Sequence, residues 1–107
     1  MNNIIQVSTT FTEKEDALQL ARHLLDKHLI ACAQLSSPFE SLYCWKGKVE
    51  QGQEFKLTMK TTEAVWEELK AEIETKHSYD VPEILAVPVL HANEKYEKWL
   101  QEEIKNE

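Results

Sequence analysis

Apolar and polar residues alternate, or recur at helical spacing, along almost the whole chain, and the changes of period mark the elements. Asn3–Thr10 carries Ile4, Ile5 and Val7 in a run that predicts a first strand. Thr12-x-x-Glu15 has the spacing of a capping box, a hydroxyl for an early helical N–H and a carboxylate reaching back. It predicts a helix to about His28, with Ala17, Leu18, Ala21, Leu24, Leu25 and Leu29 on one side. Ile30–Leu35 begins a second strand, which Ser36-Ser37-Pro38 interrupts, because proline has no N–H to give to a ladder. A bulge or bend is expected there.

The stretch Ser41–Thr62 then predicts a long hairpin turning at Lys46-Gly47-Lys48. Its return arm sets Phe55, Leu57 and Met59 against Glu54, Lys56, Thr58 and Lys60, a period of two that gives one apolar and one polar face. The chain has only two glycines, Gly47 and Gly52, and both fall in this hairpin, where turns and bulges collect them. A second helix starts at Thr61-Thr62-Glu63, buries Val65, Trp66, Leu69 and Ile73, and ends near His77. After the turn-rich S-Y-D-V-P-E, the run Ile84–Leu90 predicts a last strand, nearly all apolar, either covered on both faces or lying at a sheet edge that another chain covers. Pro88 argues against a central position. Asn93 is placed to cap a third helix with Tyr96, Trp99, Leu100 and Ile104 as its stripe. The order β-α-β-β-α-β-α is an α+β arrangement: the ferredoxin-like split β-α-β (βαββαβ), one antiparallel sheet, plus a C-terminal helix.

Composition narrows the function classes. With 107 residues the chain has room for one domain, 1–107, and one core. At 42% apolar residues, disorder is not expected. A formal net charge of −7 repels a phosphate backbone, so no nucleic-acid partner is expected. The start M-N-N-I-I-Q-V has no basic n-region, and no apolar run approaches a membrane span, so no membrane partner is expected and a cytoplasmic location is. Two cysteines, Cys32 and Cys44, make no disulfide framework and point to reduced thiols. No glycine-rich phosphate loop, G-x-S-x-G or H-E-x-x-H occurs, and no nucleophile–base pair emerges, so no enzyme is expected.

Five stretches carry a resemblance: A-C-A-Q-L at 31–35, S-L-Y-C-W-K-G-K-V-E at 41–50, E-F-K-L-T-M-K-T-T at 54–62, H-S-Y-D-V-P-E-I at 77–84 and H-A-N-E-K-Y-E-K-W-L at 91–100. In this order and spacing they resemble the CutA family, the divalent-cation tolerance proteins. The resemblance implies a ferredoxin-like fold, a homotrimer similar to the PII signalling proteins with hairpins and edge strands pairing between subunits, and a link to copper or other divalent cations. Edge physics points the same way: the arm Ser41–Trp45 leaves unpaired backbone groups, and three copies pairing edges would close them.

Four donor groups stand out. Cys32 is read either as a buried small hydrophobe or as a soft thiolate ligand needing a second donor from elsewhere in the chain or from another subunit. His77, Tyr79 and Glu83 set an imidazole, a phenol and a carboxylate within seven residues of one another. For His77 the competing reading is a favourable charge at a helix C-terminus. The expected metal donors are therefore Cys32, His77 and Glu83, with His91 a further candidate and His23 and His28 expected in solvent. Cys44 departs from the family, which commonly has an aromatic residue there, and is expected to pack. Trp45, Lys48, Glu50, Lys60 and Tyr79 are read as interface or cleft residues. The alternative function is a PII-like signalling or scaffold trimer that holds a small anionic ligand in an inter-subunit cleft, with Lys60 supplying positive charge.

Overall fold

The computed structural model describes residues 3–105. In chain order the strands are β1 (Ile4–Phe11), β2 (Cys32–Leu35), β3 (Phe39–Trp45), β4 (Lys48–Thr62) and β5 (Leu85–Pro88). The helices are α1 (Lys14–Asp26), α2 (Trp66–Lys76), entered through a 3₁₀ turn at Glu63–Val65, and α3 (Glu94–Glu103). The sheet runs β2-β4-β1-β5, with every neighbouring pair antiparallel and β3 also paired to β4. This is the ferredoxin-like order with a C-terminal helix added.

β4 is the longest element, at 15 residues, and it is used twice. Its inner half lies between β1 and β2, where Ile4 opposes Thr62 and Phe11 opposes Phe55. Its outer half pairs only with β3, from Phe39–Glu54 to Trp45–Lys48. Leu35 opposes Leu57 and Phe39 opposes Glu54, so the β2–β3 side spends one residue more than β4 between these pairs. That extra residue is the bulge expected at Ser36-Ser37-Pro38. Ser36 holds it, its N–H donating to the Lys56 carbonyl and its hydroxyl accepting from the Lys56 N–H.

Val7, Thr9 and Phe11 on β1 and Leu57 and Met59 on β4 are buried on the face that α1 and α2 cover. α1 contributes Ala17, Leu20, Ala21 and Leu24, and α2 contributes Leu69 and Ile73. Leu25, expected in the α1 stripe, is 38% exposed, and Leu20 takes the inward position instead. α1 ends in a Schellman arrangement: His28 sits at φ 58°, its N–H bonds the Leu25 carbonyl, and the Leu29 N–H reaches back to Leu24. α3 closes the sheet end where β1 begins, burying Leu100 and Ile104 and binding Asn3 through Gln101 and His28 through the Lys105 N–H.

Four local expectations are corrected. The capping box does not form: Glu13 is the N-cap of α1 with no side-chain cap bond, and the Thr12 hydroxyl pairs with Tyr79 instead. Asn93 does precede α3, but its side chain makes no cap bond. Gly52 sits in regular ladder pairing opposite Ser41, and the turn is a two-residue loop, Lys46-Gly47, with both residues at positive φ. The last strand is shorter than expected and lies at the edge, beside β1, with Leu85 and Val87 more than half exposed.

Candidate functional site

The candidate residues fall into three places along β4. Cys32 opposes Lys60, and Lys60 opposes Gln6. Lys60 alternates with the buried Met59 and Thr61, so this row faces away from α1 and α2. Cys32 is half-buried there, 3.3 Å from the Tyr96 hydroxyl of α3. Lys60 donates to Gln34, its neighbour on the same face. Burial, then the bond to Cys32, pushes the Tyr96 phenol up to about 12. Tyr96 was read only as part of a helical stripe. Its pairing with Cys32 spans 64 positions and leaves no local signal.

His77 belongs to a second cluster on the other face and at the other end of β1. Its ring stacks on Phe11 with centroids 4.1 Å apart and planes 9° apart. The Tyr79 N–H donates to Nδ1 at 3.0 Å, which assigns the remaining proton of the neutral ring to Nε2. Nε2 lies 3.0 Å from Oγ1 of the buried Thr9. Burial lowers the His77 pKa, against the Thr10 backbone, Asp16 and Glu54, which raise it. Tyr79 donates its hydroxyl to Glu54 at 2.6 Å and lies 2.8 Å from the Thr12 hydroxyl. Burial and the Glu54 bond push this phenol up to about 12.

This geometry separates the expected metal donors. From Gln6, in the Cys32 row, to Phe11 is five residues of strand, about 17 Å at 3.4 Å per residue. Both His77 nitrogens already have partners, so the ring has no lone pair free for a cation. Against the helix-dipole reading, the ring's own bonds are to Thr9 of β1 and the Tyr79 N–H. Glu83 is exposed on the segment before β5, and His91 is exposed before α3. Among the described residues, no group of three or more His, Cys, Asp or Glu side chains could hold a metal ion.

The expected cleft residues are spread out too. Trp45 opposes Lys48 and Tyr43 opposes Glu50 on one face of the hairpin tip, and Lys46 lies 5.9 Å from the Trp45 ring. Lys48 and Lys60 are twelve positions apart on one strand, about 40 Å by the same rise. Tyr79 lies between them, at Glu54. Cys44, expected to pack, is exposed, as are Leu42 at 64% and Val49 at 72%. His23, expected in solvent, is instead bonded across helices to Glu72, 2.6 Å away, which also takes Lys27 at 3.1 Å. The His23 bond, then Lys27, lowers the Glu72 pKa.

Comparison with known proteins follows this geometry closely. A family model described as "CutA1 divalent ion tolerance protein" matches residues 5–103. The "Divalent-cation tolerance protein CutA" of Pyrococcus horikoshii is 45% identical over 102 residues, 95% of this chain and 99% of that protein. The crystal structure of CutA1 from Oryza sativa superposes with a TM-score of 0.95 at 34% identity, covering 99% of this chain and 97% of that one. CutA1 from Pyrococcus horikoshii gives 0.90 at 44% identity, covering 95% and 99%.

Proposed function

Starting from the CutA1 divalent ion tolerance family, to which this chain belongs, we propose that it is a non-enzymatic homotrimer of the cytoplasm that binds copper or another divalent cation as part of a response to metal ions. The observation that carries this reading is the family match over residues 5–103. In this reading the ligands come from more than one copy, since no group of three His, Cys, Asp or Glu side chains meets among the described residues of one chain. Cys32 supplies the soft donor, half-buried on the sheet face away from α1 and α2, and the exposed carboxylate of Glu83 is the second candidate. His77 is not counted among the donors.

Assembly through the ribbon supports the same reading. The outer half of β4 has a partner on one side only, and Leu42, Tyr43, Trp45 and Val49 are exposed along it. A two-stranded ribbon is marginal alone, and copies that pair along it would cover both its edges and its apolar side chains. The test combines sedimentation with equilibrium dialysis against copper. The parent chain is expected as a trimer that loses copper affinity or stoichiometry on Cys32→Ala and keeps both on His77→Ala. Trp45→Ala is expected to lower the trimer's heat stability. Unchanged copper binding in Cys32→Ala would remove the thiol from the site. A Trp45→Ala chain that stays trimeric and equally heat-stable would remove the ribbon from the assembly surface. The rival reading, a small anion held between copies, predicts instead a thermal shift with anionic metabolites that Lys60→Ala abolishes.

A further inference from the structure

We propose that His77, held between β1 and the Tyr79 backbone, is an acid-released latch: when its ring takes up a proton, segment 78–84 is freed, and with it the edge strand β5 and the base of the hairpin. This goes beyond metal binding and does not depend on it. The latch works only with a neutral ring. The Tyr79 N–H needs the lone pair on Nδ1, and the ring has a single proton, on Nε2, for Thr9. A second proton would set two N–H groups against each other at Nδ1 and leave the Tyr79 amide without its acceptor.

The surroundings decide whether that proton is resisted. Several favour the cation: the Thr10 backbone on β1, Asp16 on α1, Glu54 on β4, and the carbonyl end of α2, where the His77 N–H bonds Ile73. The Phe11 face also tolerates a cation. Against them stand the loss of water around a partly buried ring and the loss of the Tyr79 bond. The net direction is downward from the ordinary histidine value, so the folded latch stays closed at neutral pH and opens on acidification. Opening has a defined reach. Tyr79 stands 4.8 Å from the His77 ring and carries the hydroxyl bonded to Glu54 on β4. Six residues after Tyr79 the chain enters β5 at Leu85.

The test is amide hydrogen exchange by NMR on the intact protein, with the His77 ring proton followed through the same titration. Between about pH 7.5 and pH 5, after correction for intrinsic exchange, protection of the Tyr79 amide and of 78–84 is expected to fall by about tenfold per pH unit separating the open and closed midpoints. Amides of Val7 and Met59 are expected to hold. His77→Gln, which does not titrate, is expected to lose the acid step. If that variant does not fold, His77→Phe, which keeps the stack on Phe11, serves in its place. A Tyr79 amide whose protection is flat across the titration overturns the proposal, and so does an acid step that persists unchanged in the non-titrating variant.

Discussion

Tyr79→Phe isolates one hydroxyl that joins three elements. The substitution keeps the ring, and with it the tilted contacts to Phe11 at 6.5 Å and His77 at 4.8 Å. It removes the donor to Glu54 at 2.6 Å and the contact with Thr12 at 2.8 Å. A hydrogen bond to a charged group contributes about 1.5–3 kcal/mol when sheltered. Here Thr12 is exposed and Glu54 only half-buried, so water replaces part of what is lost. The expected loss is therefore about 1–1.5 kcal/mol, at or just below the bottom of that range. In urea at fixed protein concentration this appears as a midpoint lowered by about 0.5–1 M with an unchanged slope. Combining the change with Glu54→Ala in a double-mutant cycle should return a coupling of about 1 kcal/mol, since both changes remove the same bond. A Tyr79→Phe chain as stable as the parent, or additive with Glu54→Ala, would show that the hydroxyl does not bind the hairpin base.

Other outcomes follow from single positions. His28→Gly relieves a non-glycine residue at φ 58° and should raise the unfolding free energy, read from denaturant titration, by about 0.5–1 kcal/mol, less whatever the His28–Glu103 contact contributes. Gly47→Ala meets no neighbour within 4 Å but must adopt φ +79°, so it should cost about 1–2 kcal/mol of hairpin stability, read by cross-strand exchange near Trp45 and Lys48. Glu72 has its pKa lowered from 4.5 by His23 and Lys27, so its contribution is present above that value and fades as pH falls through the folded pKa; Glu72→Gln should flatten the acid limb of the stability profile there. Tyr79 and Tyr96 run the other way: folded phenols near 12 against 10 when unfolded mean that stability falls as pH rises above 10, and phenolate absorbance should lag in the native protein.

What could be read from the sequence was what local period and turn chemistry control. The alternation Phe55, Leu57, Met59, the turn glycine Gly47 and the proline Pro38 each act within a few residues, and each sits where it was expected. Thr12 shows the opposite case. Its spacing to Glu15 is that of a cap, yet its hydroxyl is drawn away by Tyr79, 67 positions later. The same holds for Glu54–Tyr79 and for Cys32–Tyr96, whose partners lie on separate elements. His77 and Glu83 are close in sequence, but the ring turns inward to β1 while the carboxylate stays exposed. Whether Cys32 could join them depended on sheet register, and register puts Cys32 opposite Lys60, on the far face from Phe11.

The junction on β4 matters beyond its own bonds. Up to Phe55 the strand is braced by β1 on one side, while from Glu54 outward its ladder partner is β3, through seven pairs. A ribbon without a second layer has no packing to fix its direction, so its aim is set where it leaves the sheet. The bulge at Ser36-Ser37-Pro38 turns one arm at that point. The other arm is held by Glu54, through Tyr79, to Thr12 and to the segment that His77 anchors. An assembly built along the ribbon needs that aim to be reproducible in every copy, because a small angular error at the base grows over the length of the tip. The residues that direct the ribbon are thus polar side chains bonded at its root, while the exposed aromatic and apolar side chains near its end determine only what it can cover.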